Sequence, residues 1–370
     1  MTATIEQASA IDAPVLSGTD HVELYVGNAR QAAYHYQRAF GFDVIAYAGP
    51  ETGVRDRASY VLQQGKVRLV LTAPLQPEGD IAQHVQQHGD GVKSIALRVA
   101  DASQAYLAAT SRGARGVQEP QRVEDEHGVM TFATVATYGD TVHTFVERDE
   151  YGGVHWPGYR EETRSGGGVG LRFIDHTVGN VEDGKMDDWV SFYSEVFGFN
   201  VFQEFDEHDI ATQYSALRSK VARDPRTMIT FPINEPYVGL KKSQIQEYLD
   251  YYRGSGVQHI AVHTDDIIET VGSMRERGVE FLTAPAAYYA ALGPRADGID
   301  EDLDRLRDLN ILIDRDDDGY LLQIFTRPVG DRPTMFFEVI QRKGCKGFGK
   351  GNFKALFEAI EREQAARGNL

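Results

Sequence analysis

Glu338 lies in Arg332-Pro-Thr-Met-Phe-Phe-Glu-Val-Ile-Gln341, a β-branched and aromatic run that opens after a proline and closes before a glycine-rich turn. Such a run predicts a strand, with Phe336, Glu338 and Ile340 on one face and Met335, Phe337 and Val339 on the other. Both faces are apolar apart from Glu338. A carboxylate there costs several kcal/mol unless something pairs with it. A salt bridge or a sheet edge would answer that need. So would a metal ion, which requires histidines elsewhere. His176 follows Asp175 at the head of one predicted strand, and His259 lies in another, Gly256-Val-Gln-His-Ile-Ala-Val262. Two neutral imidazoles and one carboxylate on three strands make a facial triad that leaves one side of the metal open. That pattern suits non-haem Fe(II), although Zn²⁺ or Ni²⁺ in a lyase or isomerase would use similar ligands.

The elements that must position these residues come in duplicate. Asp20-His-Val-Glu-Leu-Tyr-Val26 leads into a helix that ends at Phe40-Gly-Phe42, and Asp175-His-Thr-Val-Gly-Asn-Val181 leads into one that ends at Phe197-Gly-Phe199. Gly91-Val-Lys-Ser-Ile-Ala-Leu97 precedes a helix closing at Arg112-Gly113, and Gly256–Val262 precedes one closing at Arg277-Gly278. Gly139-Asp140 stands before Glu147 at the spacing that separates Gly330-Asp331 from Glu338. The repeat predicts four strand–helix–strands modules. It pairs His21, Ser94 and Glu147 with His176, His259 and Glu338. With its middle ligand missing, the first half is expected to bind no metal.

The chain has 370 residues, enough for two domains, and a net charge of −17 with the acidic residues dispersed. Dispersed negative charge argues against nucleic acid or an anionic membrane as a partner. No apolar run approaches the length of a membrane span, and the first residues lack the features of a signal peptide. Cys345 is the only cysteine, which excludes a disulfide framework and fits a reducing cytoplasm.

Among the other histidines, His84 and His88 lie at i, i+4, but in a polar segment that reads as solvated surface. Gly347-Phe-Gly-Lys-Gly351 precedes a helix without the Ser or Thr of a phosphate loop, and reads as a hinged turn. Asn352 is the expected N-cap of that helix. Phe353, Leu356, Phe357 and Ile360 give the helix a wide apolar stripe that must cover something.

Asp175-His176, Phe231-Pro-Ile-Asn-Glu-Pro236, Lys242-Ser-Gln-Ile245, Gly256-Val-Gln-His259, Asp318-Gly-Tyr-Leu-Leu-Gln-Ile-Phe325, Phe336-Phe-Glu338 and Gly347-Phe-Gly-Lys-Gly-Asn-Phe353 together resemble the 4-hydroxyphenylpyruvate dioxygenase family. The resemblance runs from about Gly18 to the C-terminus and is densest after Leu171. It implies an α+β, vicinal-oxygen-chelate (glyoxalase/bleomycin-resistance-like) fold, with four βαβββ modules in two half-barrel pairs. The expected division is an arm over 1–17, an N-terminal domain without metal over 18–160, a glycine-rich linker over 161–170, and a catalytic domain over 171–370 with a lid helix over about 352–366.

The resemblance also implies one Fe(II) per chain, held by His176, His259 and Glu338. The implied reaction converts 4-hydroxyphenylpyruvate and O₂ to homogentisate and CO₂, as in tyrosine catabolism. Ser215, Asn234, Gln244 and Gln323 would line the substrate pocket, with Phe336, Phe348 and Phe353 as aromatic walls and Gln244 and Phe353 closest to the chemistry. Gln258 is left out, because strand alternation points it away from the face of His259. A homo-oligomer, dimer or tetramer, is expected, with the first half supplying the contact. The alternative within the family is 4-hydroxymandelate synthase, which acts on the same substrate and carries an aliphatic residue in place of Phe353. A glyoxalase-like isomerase would need a second carboxylate as base, and none is placed for it. A metal-free binding protein of this fold would lose a ligand.

Overall fold

The computed structural model describes residues 12–206, 216–227, 229–237 and 239–369. The first module is β1 (Leu16–Tyr25), α1 (Ala29–Ala39), β2 (Asp43–Ala48), β3 (Arg57–Gln64) and β4 (Val67–Pro74). After α2 (Asp80–His88), the second is β5 (Gly91–Val99), α3 (Ala102–Ser111), β6 (Gly116–Asp125), β7 (Gly128–Ala136) and β8 (Val142–Glu147). A short strand, β9 (Arg160–Arg164), follows. The third module is β10 (Leu171–Asn180), α4 (Met186–Phe197), β11 (Asn200–Phe205), β12 (Ala216–Arg223) and β13 (Thr230–Tyr237). After α5 (Gln244–Tyr252), the fourth holds β14 (Gly256–Thr264), α6 (Ile267–Glu276), α7 (Ala286–Ala290), α8 (Leu303–Asp308), β15 (Leu312–Asp316), β16 (Gly319–Phe325) and β17 (Phe336–Lys343). The chain continues into α9 (Phe353–Ala366).

The strands form two sheets, ordered β6-β7-β8-β5-β1-β4-β3-β2-β9 and β11-β12-β13-β10-β14-β17-β16-β15. In each sheet the two leading strands lie antiparallel at the centre, and each also pairs in parallel with the last strand of its own module. This is the α+β vicinal-oxygen-chelate architecture. An Asx side chain starts the helix after three of the leading strands: Asn28 accepts from the Gln31 amide, Asp101 from Gln104 and Asp266 from Glu269. Alternation along β17 sends Phe337 outward, against Tyr36 and Phe40 of α1 in the other half, and leaves Phe336 and Glu338 inward.

The ladder register corrects one pairing made from spacing. Ala261 faces Glu338 across the β14–β17 ladder, and the equivalent Ala96 faces Thr144, not Glu147, across β5–β8. Glu147 therefore corresponds to Gln341. Each accepts from the first backbone amide of a helix, Glu147 from Ala102 and Gln341 from Ile267. Counting back to Gly-Asp misled because the connection into β17 is three residues longer than the ladder allows.

Two further expectations change. Asn352 makes no side-chain cap, because a 3₁₀ turn over Lys350–Asn352 runs straight into α9. Its buried amide oxygen instead accepts from the Tyr288 hydroxyl at 2.6 Å. The glycine-rich stretch is hydrogen-bonded to both halves: Gln37 donates to the carbonyls of Arg164 and Ser165, and Arg277 to those of Gly166 and Gly168. Its glycines serve close approach. At Gly41, where φ is +74°, an added Cβ would lie 2.8 Å from the backbone of Gly168. Gly41→Ala is expected to lower unfolding stability by about 2 kcal/mol, from left-handed strain plus that clash. Urea unfolding measures it, and an unchanged midpoint would show that the joint is loose.

Candidate metal centre

Two β-bulges aim the ligands. Ile174 and His176 pair with the adjacent residues Val262 and Ala261, so Asp175 is an extra residue in β10. Val178 and Gly179 pair with His259 and Val257, so Gln258 is an extra residue in β14. A bulge suspends alternation, and each extra residue reaches the ring of the histidine that follows it. Asp175 Oδ1 accepts from His176 Nδ1 at 2.7 Å, and Gln258 Oε1 accepts from His259 Nδ1 at 2.9 Å. Excluding Gln258 on alternation was therefore wrong, and it also lines the cavity.

With both Nδ1 positions engaged, each Nε2 faces inward, where it can meet a proton or a metal ion. Glu338 Oε2 lies 3.3 Å from His176 Nε2 and 3.3 Å from His259 Nε2. All three side chains are buried. Facing ligands bound at about 2.1 Å stand roughly 3 Å apart, so the spacing fits one shared cation.

The electrostatics agree. Burial alone would raise the Glu338 carboxyl, but the charge of His176 and hydrogen bonds from both imidazoles hold it at about 2. Burial opposes protonation of His176, yet Glu338 and Asp175 outweigh it and push that imidazole up. Burial pushes His259 down. Burial also opposes the Asp175 charge. A two-pronged salt bridge from Arg342, at 2.8 Å to each oxygen, overrides it and holds that carboxyl far below its usual range.

The cavity in front of the triad is lined by Asn234, Gln244, Gln323, Phe336, Phe348 and Phe353, all placed here by the sequence reading. Ser215 lies outside the described residues. Phe336 stacks on the His259 ring at 4.8 Å and 19°, and Phe348 meets His176 edge-on at 5.0 Å. Leu356, Phe357 and Ile360 join Phe353 in closing the cavity with α9, so the apolar stripe covers the site. Gln323 keeps a buried side-chain oxygen without a hydrogen-bond partner among the described residues. Its amide packs so closely on the turn before α9 that a Cβ at Gly349, where φ is +76°, would come within 2.4 Å of it.

Ser219 and Pro232 also line the cavity and were missed. Ser219 shares the alternation of Leu217 and Val221 on β12, a signal present in the sequence but unremarkable among other strands. Asp175 was visible as an Asp-His doublet. Arg342 carried no mark of its partner.

Metal must displace the proton that His176 and Glu338 share without it. Because His176 is raised, affinity for Co²⁺ or Fe²⁺ is expected to climb with pH above 6.5 and to fall below it. Asp175→Asn is expected to weaken the metal about 10- to 100-fold. Metal titrations across pH measure both, and a flat affinity would rule out the shared proton.

A model of the glyoxalase/bleomycin resistance protein/dioxygenase superfamily matches residues 18–150 and 173–324. A 4-hydroxyphenylpyruvate dioxygenase from Dictyostelium discoideum is 49% identical over 367 residues, covering 96% of this chain and all of that protein. One from Yarrowia lipolytica is 47% identical, covering 95% of this chain and 93% of the relative. The solved structure of a triple mutant of 4-hydroxymandelate synthase from Streptomyces coelicolor matches with a TM-score of 0.83 at 36% identity, covering 94% of this chain and 99% of that one. The chain belongs to the glyoxalase/bleomycin resistance protein/dioxygenase superfamily and, within it, to the 4-hydroxyphenylpyruvate dioxygenase family.

Proposed function

We propose that the chain converts 4-hydroxyphenylpyruvate and O₂ to homogentisate and CO₂, with His176, His259 and Glu338 holding one Fe(II). The observation that carries this reading is the meeting of two imidazole Nε2 atoms and one carboxylate oxygen in a buried pocket. Two imidazoles and a carboxylate with one side open are the donor set of non-haem Fe(II) oxygenases. Bound there, Fe(II) supplies a chelation point for a 2-oxo acid and the electrons that activate O₂.

The protein's residues do the rest. Asp175 and Gln258 keep each imidazole in the tautomer that offers Nε2. Phe336 and Phe348 pack against the two ligand rings and leave a slot for a flat aromatic substrate. Asn234, Gln244 and the unpartnered oxygen of Gln323 offer hydrogen bonds to the substrate's hydroxyl end. The stripe of α9 keeps bulk water from the reacting centre, which protects short-lived species from side reactions.

In this reading residues 171–370 form the catalytic domain and residues 18–160 a non-catalytic one, joined through 161–170. Association into a dimer or tetramer through the first half, and a cytoplasmic setting, belong to the same proposal. The single cysteine, Cys345, is buried and free, which supports a reducing compartment. No helix among the described residues is long and apolar enough to cross a membrane.

Anaerobic loading with Fe(II), then addition of substrate and O₂, is expected to yield homogentisate. 4-Hydroxymandelate as the main product would favour the synthase instead. His176→Ala and His259→Ala are expected to lose iron and turnover with unchanged circular dichroism, and normal turnover in either would refute the centre. Phe353→Ile is expected to add 4-hydroxymandelate to the products. Homogentisate alone at full rate would remove Phe353 from the wall.

A further inference from the structure

The first half contains a second set of ligating side chains that the reaction leaves unused. His84 and His88 stand one turn apart in α2, and Asp140 lies between β7 and β8. Their ligating atoms lie within 4.8 Å of one another. We infer that His84, His88 and Asp140 bind one divalent transition-metal ion of the Zn²⁺ class, with a fourth position open to the cavity beside them. This departs from the expectation that the first half takes no metal. It also departs from the reading of the α2 histidines as solvated, since both are buried. The place is not the duplicated one, where Ser94 and Thr144 stand.

His84 is the first observation. It is 4% exposed, and neither ring nitrogen has a hydrogen-bond partner among the described residues. Burial, reinforced by the positive charges of His88 and Lys93, holds its pKa at about 3, so the ring is neutral. A buried neutral imidazole with an idle lone pair is what a metal ligand looks like before the metal arrives.

His88 is the second. Its Nδ1 donates to the carbonyl of Tyr252 at 2.5 Å, and its ring stacks on Tyr252 at 4.3 Å. That bond fixes the tautomer, as ligand histidines require. Nε2 then faces Asp140 Oδ2, 2.9 Å away. A position between a ring nitrogen and a carboxylate oxygen suits a proton or a metal ion. The logic is that of His176 and His259 against Glu338.

The surroundings allow entry. A cavity of about 680 Å³ reaches His84 and Asp140. Asp140 is exposed and can swing. Ligands at about 2.1 Å around a tetrahedral ion lie roughly 3.4 Å apart; here one pair is 2.9 Å apart and all three lie within 4.8 Å, so small shifts suffice. Lys93 works against a cation, donating to the Asp140 carbonyl at 2.6 Å, but Asp140, Asp80 and Glu23 all lie close enough to offset its charge. Two imidazoles and one carboxylate favour Zn²⁺ over Mg²⁺ or Ca²⁺, which prefer oxygen donors throughout. Because Tyr252 ends α5, the ion would sit where the two halves meet.

The test is metal stoichiometry of the full chain, dialysed against buffered Zn²⁺ and measured by elemental analysis. Wild type is expected to hold two equivalents, Glu338→Gln one, His84→Ala one, and the double variant none. The two centres fail separately, since loss with Glu338→Gln reports the first and loss with His84→Ala reports this one. Asp140→Asn, at an exposed position, replaces His84→Ala if that variant does not fold. Co²⁺ in Glu338→Gln protein is expected to show the strong visible bands of a four-coordinate site. A second equivalent that survives His84→Ala and Asp140→Asn, or no second equivalent in wild type, would overturn the site.

Discussion

The structure turns on an electrostatic deficit. Two imidazole nitrogens and a carboxylate meet in a buried pocket out of reach of bulk water. Asp175 cannot take a proton, because Arg342 grips both of its oxygens. It therefore claims the Nδ1 hydrogen of His176 and turns Nε2 toward Glu338. Gln258 does the same to His259 with a neutral carbonyl. Glu338 stays ionised between the two Nε2 atoms. Such a pocket suits a shared proton or a divalent ion, and the two would compete for it. Arg342 carries the constraint further. It donates to the Gly347 carbonyl at 2.6 Å, so the guanidinium that orients the first ligand also anchors the turn leading to Phe348 and the lid.

The geometry depends on two interruptions of regular pairing. A regular strand sends neighbouring side chains to opposite faces, so a histidine and the residue before it could not cooperate. At Asp175 and Gln258 the extra residue removes that prohibition. The cost is lost ladder hydrogen bonds, and the gain is a ligand whose tautomer is set by its own neighbour. The first half keeps the same device. Asp20 is the extra residue before His21 and accepts from its Nδ1 at 2.7 Å, while Arg148 takes the role of Arg342.

What the sequence revealed divides along this line. The modules, their order, the triad and the lid stripe were legible, because each is written in local pattern: repeated Asp-His and Phe-Gly-Phe segments, alternation in β17, helical spacing in α9. Gln258 was misjudged because a bulge is a feature of pairing between β10 and β14, and neither strand announces it alone. Glu147 was mispaired because chain spacing counts loop residues and a ladder does not. Arg342 and Asp175 are 167 positions apart, and only the fold brings them together. His84 and His88 looked solvated because α2 is polar by composition. Tyr252 of α5, a helix of the other half, packs over both, and Tyr25 of β1 packs against His84.

The duplicated halves show which part of the device is scaffold and which is chemistry. Both keep the aspartate, the histidine and the arginine that locks them. They differ at the two places that complete the acceptor set. Where the second half has His259 and Glu338, the first has Ser94 and Thr144, whose hydroxyls hydrogen-bond each other at 2.9 Å. A hydroxyl is both donor and acceptor, so that pair satisfies itself and asks for no cation. Replacing that hydroxyl pair with an imidazole and a carboxylate turns a self-sufficient strand contact into a group of donor atoms that one cation could share. The scaffold needs no alteration for this, because the bulge before each histidine already holds its Nδ1.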